Sequence, residues 1–150
     1  MPSQGLRIPH GALVVVADHR KALLLRNEGE VMRPALRKCR TVELPDSESS
    51  QGSEVTFGRF NKSSRTLVRD YRDANMRSEA RARFARHLIE VLRDVVKTDR
   101  IEGMVIVATP HLLGEIRDRL DPHLRRIVIA EVARDLVHLP IRDIAARLTE

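Results

Sequence analysis

The chain has 150 residues and a formal net charge of +6, with 42% apolar residues but only 3% aromatic ones. This length fits a single domain, residues 1–150, whose core must be built from Val, Leu, Ile and Ala. The single cysteine, Cys39, excludes an internal disulfide and a cysteine-based zinc site within one chain. No apolar stretch is long enough to span a membrane or has the form of a signal peptide. We therefore expect a cytoplasmic protein without membrane insertion.

Residues 12–26 predict a β-hairpin. Two short runs rich in Val, Leu and Ala, at 12–17 and 22–26, enclose four residues that can all carry charge, Asp18-His19-Arg20-Lys21. These four form either the turn between two strands or the rim of a site. The sequence favours the turn, and Asp18 can also line a site because it directly follows the first strand.

A third strand and a long loop follow the hairpin. The strand is expected within Lys38–Leu44, with Cys39 and Thr41 on one face and Val42 on the other. Beyond it, the sequence has few apolar side chains at first and is then interrupted by Gly, Asn and Ser. We predict a long mobile loop over about residues 45–75, crossed by a short strand near 66–68.

From Asn75 onward the apolar residues recur at spacings of three and four, which predicts a long amphipathic helix. They are Met76, Ala80, Phe84, Leu88, Val91, Leu92, Val95 and Val96. A uniformly apolar strand, 104–108, comes next. Thr109-Pro110 then supplies an N-cap and a first turn for a helix to about Leu120.

The last third of the chain repeats this alternation. Asp121-Pro122 predicts a short helical turn, 127–130 a fifth strand, and Pro140 the start of a final helix. The order β-β-β-α-β-α-β-α combines an antiparallel meander with strands joined by helices, which must be parallel. We therefore predict an α/β protein with a ribonuclease H-like three-layer fold and a mixed five-stranded sheet of order 3-2-1-4-5.

In this topology strands 1, 4 and 5 end at one crevice, at the edge where open α/β sheets bind ligands. The candidate crevice residues are Asp18, Thr109, His111, Glu131, Asp135 and His138. Asp18, Asp135 and His138 are the candidate catalytic residues, as metal ligands or as an acid–base pair. The carboxylate set is incomplete for a two-metal nuclease because strand 4 ends at Thr109, and ordinary solvated histidines are the alternative. We predict no metal site, because the carboxylate set is incomplete and the other histidines have no regular ligand spacing, and no cofactor, since glycine-rich phosphate motifs are absent.

Six arginines surround the start of the predicted long helix: Arg69, Arg72, Arg77, Arg81, Arg83 and Arg86. Positive charge near a helix N-terminus opposes the helix dipole, so these residues are not placed for helix stability. They are candidate RNA-binding residues, because an anion at that end would meet both guanidinium groups and free backbone N–H groups. The alternative is a solvated basic face that carries acid–arginine pairs one turn apart.

Several segments resemble a bacterial family, the host attachment proteins. These are the first hairpin with Ala17-Asp18, the strand ending in Ala108-Thr109-Pro110, and the stretch Arg134-Asp135-Leu136-Val137-His138-Leu139. The resemblance covers about two-thirds of the chain. It implies a bacterial protein of the same fold.

That family is similar in turn to the middle domain of archaeal and eukaryotic peptide-release factors. Their helix after a Gly-Gly-Gln tip resembles Ser78–Arg86, and Arg83-Phe84-Ala85-Arg86 matches it residue for residue. The Gly-Gly-Gln positions then fall on Arg77-Ser78-Glu79, so both glycines and the glutamine amide are missing. The resemblance therefore implies a translation-related, RNA- or ribosome-binding protein that lacks the residues for peptide release.

Three functions remain open at this point. The leading hypothesis is a non-catalytic, host-attachment-like protein that binds RNA or the ribosome through its basic helix. The second is a hydrolase or metal-dependent nuclease that uses the crevice. The third is a protein-interaction module that acts indirectly in attachment or biofilm formation, since a surface adhesin would need an export signal. The sequence leaves the oligomeric state open.

Overall fold

The computed structural model describes residues 5–44 and 63–150, and the side chains of its long helix from residue 76 onward. The elements in chain order are β1 (Leu13–Ala17), β2 (Lys21–Asn27), β3 (Leu36–Glu43), α1 (Ser63–Thr98), β4 (Met104–Ala108), α2 (Pro110–Arg119), α3 (Pro122–Ile127), β5 (Val128–Ala133) and α4 (Ile141–Thr149).

The five strands form one mixed sheet in the order β3-β2-β1-β4-β5. β2 is antiparallel to both β1 and β3, whereas β1, β4 and β5 are parallel. Ala17, Ala108 and Ala133 lie in register, so these three strands end along the same edge. The predicted α/β class and strand order are confirmed.

Helices cover both faces of the sheet because its central strands are apolar on both sides. Every residue of β1 and β4 is buried. Leu13 and Val15 pack in the cluster that includes α1 and α2, while Val14 and Val16 pack with α4 and the N-terminal segment. Such strands, buried on both faces, are typical of the parallel part of an α/β sheet.

The start of the long helix differs from the sequence-based prediction. α1 begins at Ser63 rather than near Asn75, so the part of the expected 45–75 loop from residue 63 onward is helical. The predicted strand near 66–68 is therefore wrong. Residues 63–75 contain no Gly or Pro to stop a helix, but they also lack the regular apolar spacing that identified the later turns. The remainder of that predicted loop, 45–62, lies outside the described residues.

Asn27, at the end of β2, joins three separate segments through a buried side chain. Its Nδ2 donates to the carbonyl oxygens of Ile8 (2.8 Å) and Pro9 (3.3 Å). Its Oδ1 accepts from the backbone N–H groups of Gly29 (2.8 Å) and Ala35 (2.9 Å). The amide thus fixes the N-terminal segment and the turn into β3, and it is fully buried.

Replacing Asn27 with alanine should destabilise the fold strongly. The change leaves buried backbone donors and acceptors without partners, so we expect a loss of about 3 kcal/mol in the free energy of unfolding. Denaturant titration measures it, with Glu28→Ala as the control because Glu28 is an exposed neighbour. A loss below about 1 kcal/mol for Asn27→Ala would contradict this role.

Asp121 caps α3 and connects it to α1. Its Oδ1 accepts from the Leu124 N–H at 2.8 Å, and its Oδ2 accepts from Arg93 Nε at 2.7 Å. These two interactions, the Leu124 N–H first, hold the pKa of the Asp121 carboxyl below its ordinary value. The short helix predicted from Asp121-Pro122 is confirmed, whereas Thr109, the predicted N-cap of α2, makes no side-chain cap hydrogen bond.

Asp121→Ala should destabilise the protein by about 1 kcal/mol at neutral pH, the usual effect of losing an N-cap. Because folding lowers the pKa of Asp121, its stabilisation is present above the unfolded-state pKa and is lost as the pH falls through the folded-state value. The difference between wild type and variant should therefore shrink below about pH 4. Urea titrations across pH measure this, with the exposed Asp118→Ala as control. A difference independent of pH would contradict the assignment.

Candidate nucleic-acid interface

The helix α1 is much longer than the strands on which it packs. Its 36 residues extend about 54 Å, whereas the five residues of β1 extend about 17 Å. The helix ends just before β4 begins, so its earlier turns run towards the carboxyl ends of β1, β4 and β5. In α1, residues 76–79 are all exposed. Phe84 is the first fully buried residue among the side chains of this helix that the structure describes. The first half of α1 therefore projects beyond the sheet edge.

Positive charge is concentrated in this projecting half. Residues 63–86 contain seven arginines and three acidic residues, whereas 87–98 contain two basic and two acidic residues. The last turns of the helix, which pack on the sheet, are thus electrically balanced, whereas the projecting turns and the first packed turn, up to Arg86, are basic. This distribution suits contact with a polyanion.

Two of the arginines continue the apolar stripe of the helix. Arg77 and Arg81 precede Phe84 and Leu88 at the alternating spacings of four and three that place residues on one helix face. The same face is apolar where it packs on the sheet and basic where it passes the edge. Arg77 is exposed and Arg81 is half-buried.

The other predicted RNA-binding residues fall into two groups. Arg83 is half-buried and Arg86 is exposed on α1. Arg69 and Arg72 belong to the same helix, but their side chains lie outside the described residues. The six arginines are therefore on one continuous helix.

The dipole argument for these arginines is wrong in part. Because α1 begins at Ser63, Arg77 to Arg86 lie roughly four or more turns from its N-terminus. The dipole effect falls off within the first turn, so neither it nor the free N–H groups act at these side chains. The charge of the guanidinium groups alone remains as the basis for binding an anion.

The residues that align with the Gly-Gly-Gln tip form a regular helical turn. Arg77-Ser78-Glu79 lie inside α1 and are exposed. A helical turn has neither the flexible backbone of a glycine pair nor, here, a glutamine amide. In the matching Arg83-Phe84-Ala85-Arg86 stretch, Phe84 and Ala85 are core residues. The match thus combines two packing residues with two flanking cations.

Asp18 forms the turn of the first hairpin. Its Oδ1 accepts from the backbone N–H groups of Arg20 (2.8 Å) and Lys21 (2.9 Å), and its own N–H donates to the Lys21 carbonyl oxygen (2.9 Å). This is the turn that the sequence favoured. Asp18 also follows Ala17 at the sheet edge, next to Thr109, which follows Ala108.

The remaining crevice candidates only partly come together. Asp135 and His138 follow β5, with 3.7 Å between Asp135 Oδ1 and His138 Nδ1. Glu131 lies within β5 and accepts from Arg117 Nε of α2 at 2.8 Å. His111 is exposed in the first turn of α2.

Among the described residues, no hydrogen bond or ion pair joins Asp18 to the Asp135–His138 pair. Within 5–44 and 76–150, no three His, Cys, Asp or Glu side chains are grouped so as to hold a metal ion. The structure thus places the candidate catalytic residues along the same edge without assembling them into one cluster.

A second concentration of positive charge lies on β3 and was not identified from the sequence. Arg37, Lys38 and Arg40 are all exposed on this edge strand. The sequence feature that could have revealed this basic surface is the presence of three basic residues within four positions of a predicted strand.

Asp18→Ala should lower the free energy of unfolding by about 1 kcal/mol, because two turn N–H groups lose their acceptor. Asp18→Asn should be close to wild type, since its amide oxygen accepts the same bonds. Thermal or urea unfolding compares the two. Equal destabilisation by both changes would mean that the charge of Asp18, rather than its turn geometry, matters for the fold.

Comparison with known families gives a match over most of the chain. The model of bacterial archaeo-eukaryotic release factor family 12 matches residues 11–148. This match supports the predicted relation to release factors and does not bear on the host attachment name. No curated protein matches the chain significantly. No helix in the described part of the chain combines the length and apolar content needed to cross a membrane. By its family match, the chain belongs to bacterial archaeo-eukaryotic release factor family 12.

Proposed function

We propose that this protein binds ribosomal RNA through the projecting half of α1 and has no catalytic activity of its own. The observation that carries this proposal is the coincidence of exposure and charge on one helix. Residues 76–79, where α1 leaves the sheet, are exposed, and residues 63–86 hold a surplus of arginine. Lys and Arg side chains that neutralise phosphates are the main source of affinity for nucleic acids.

The family relation gives this surface a biological setting. A release-factor-like protein acts on the ribosome, in the cytoplasm. The phosphate groups on the ribosome surface belong to its RNA. The helical turn at Arg77-Ser78-Glu79 argues against ester hydrolysis of the release-factor kind, because none of these three side chains is an amide that could position a water molecule. Binding without chemistry is the activity that the remaining residues support.

The test is a salt titration of binding to polyuridylate and to purified bacterial ribosomes. In Arg77→Gln/Arg81→Gln/Arg86→Gln, we expect weaker binding. The slope of log K against log salt should also be smaller by about two, since each single-strand phosphate contact contributes about 0.7. The fold should tolerate the changes, because exposed charges contribute about 0–1 kcal/mol each.

A charge-matched control separates a specific surface from total charge. Arg7→Gln/Lys97→Gln/Arg126→Gln removes three exposed cations from other parts of the chain and lowers the net charge equally. This control should bind like wild type. Equal affinity and slope for the helix variant and wild type would leave the arginines as a solvated face and refute the proposal.

A further inference from the structure

A groove runs between the edge strand β3 and the last helix α4. Its volume is about 480 Å³. Leu36 from β3 and Ile141 and Ala145 from α4 form an apolar floor. This groove lies on the α4 side of the sheet, away from the projecting half of α1.

The charged residues that line the groove are all cations. They are Arg37 and Lys38 from β3 and Arg142 from α4, and all three are exposed. Arg37 pairs with Glu28, whose Oε1 lies 3.6 Å from Arg37 Nη1, and both side chains are largely exposed. Such a surface pair is weak and leaves the guanidinium available for another anion.

A β-bulge at Cys39 determines which cations face the groove. Lys38 pairs with Leu25, which belongs to the core under α4, whereas Arg40 pairs with Leu24, which belongs to the core under α1. The register shifts between these pairs, so Cys39 is the additional residue. Lys38 thus faces α4, whereas Arg40 faces the opposite side, as does Arg37, which pairs with Arg26.

The bulge also bears on the kind of partner that fits here. A peptide that adds a strand to β3 would need a regular row of backbone N–H and C=O groups along the edge. The bulge interrupts that row near the middle of the strand. A polyanion needs no such row, because it is held by side-chain charges on both walls of the groove.

We propose that the groove between β3 and α4 binds the phosphate backbone of RNA, as a second contact independent of the α1 surface. Lys38 and Arg142, on opposite walls, neutralise phosphates, Arg37 adds positive charge at the strand edge that borders the groove, and the apolar floor accommodates sugar and base. The inference shares its ligand class with the proposed function but depends on different residues.

The experiment measures polyuridylate binding as a function of salt for three variants and their combination. They are the groove variant (Arg37→Gln/Lys38→Gln/Arg142→Gln), the helix variant described above, and the control variant at Arg7, Lys97 and Arg126. Glutamine keeps the edge strand polar, and size-exclusion chromatography and circular dichroism verify that each variant is folded and monodisperse.

The groove variant should reduce the salt slope by about two. Its effect should add to that of the helix variant, because independent sites contribute additively. Arg37→Lys/Arg142→Lys should bind like wild type, since lysine retains the charge. Polyglutamate should compete no better against wild type than against the groove variant.

The outcomes distinguish the two proposals. A groove variant with wild-type affinity and slope overturns the groove site, whatever the helix variant does. A normal helix variant beside a weakened groove variant overturns the proposed function and leaves the groove standing. If the groove variant loses binding of polyglutamate but not of polyuridylate, the groove is a site for acidic peptides and the inference is wrong.

Discussion

The burial of β1 and β4 on both faces is the constraint on which the rest of the structure depends. Two adjacent strands with apolar side chains above and below cannot form the surface of a protein, so each face of the sheet needs a helical layer. α1 and α2 supply one layer, and α4 with the N-terminal segment supplies the other. The polar and charged elements are consequently displaced to the edges, where β3 and the ends of the strands lie.

This constraint also divides α1 into two parts with different tasks. The turns from Phe84 onward pack on the sheet and carry the apolar stripe, and the charge over residues 87–98 is balanced. The turn before them, 80–83, is half-buried, and residues 76–79 are exposed. The exposed Arg77 therefore lies outside the core.

Most of the fold could be predicted because its elements are specified by patterns among residues close together in the sequence. The uniformly apolar strands, the Asp121-Pro122 cap and the switch to helical spacing all depend on neighbouring residues. The start of α1 could not be predicted in this way, because its first turns lack an apolar stripe that would mark a packed helix.

The site was less predictable, since it depends on contacts between distant residues. Glu131, one of the crevice candidates, is instead paired with Arg117. These two residues meet only because α2 packs beside β5. The bulge at Cys39 likewise depends on the pairing of β3 with β2. The hydrogen bonds from Asn27 to the carbonyl oxygens of Ile8 and Pro9 could not be foreseen either, because these residues are far from it in sequence. The sequence shows which residues follow the strands, but it does not show which partners they contact.

The all-round exposure of residues 76–79 has a consequence for local unfolding. Opening this turn uncovers no part of the apolar core, whereas opening the helix at Phe84 or Leu88 would expose side chains that are fully buried. The two parts of one helix therefore differ in the free energy of opening, which is low where tertiary contacts are absent and approaches that of global unfolding where the core is involved. A partner that binds only the helical form of the exposed turn would shift this local equilibrium and leave the rest of the fold unchanged.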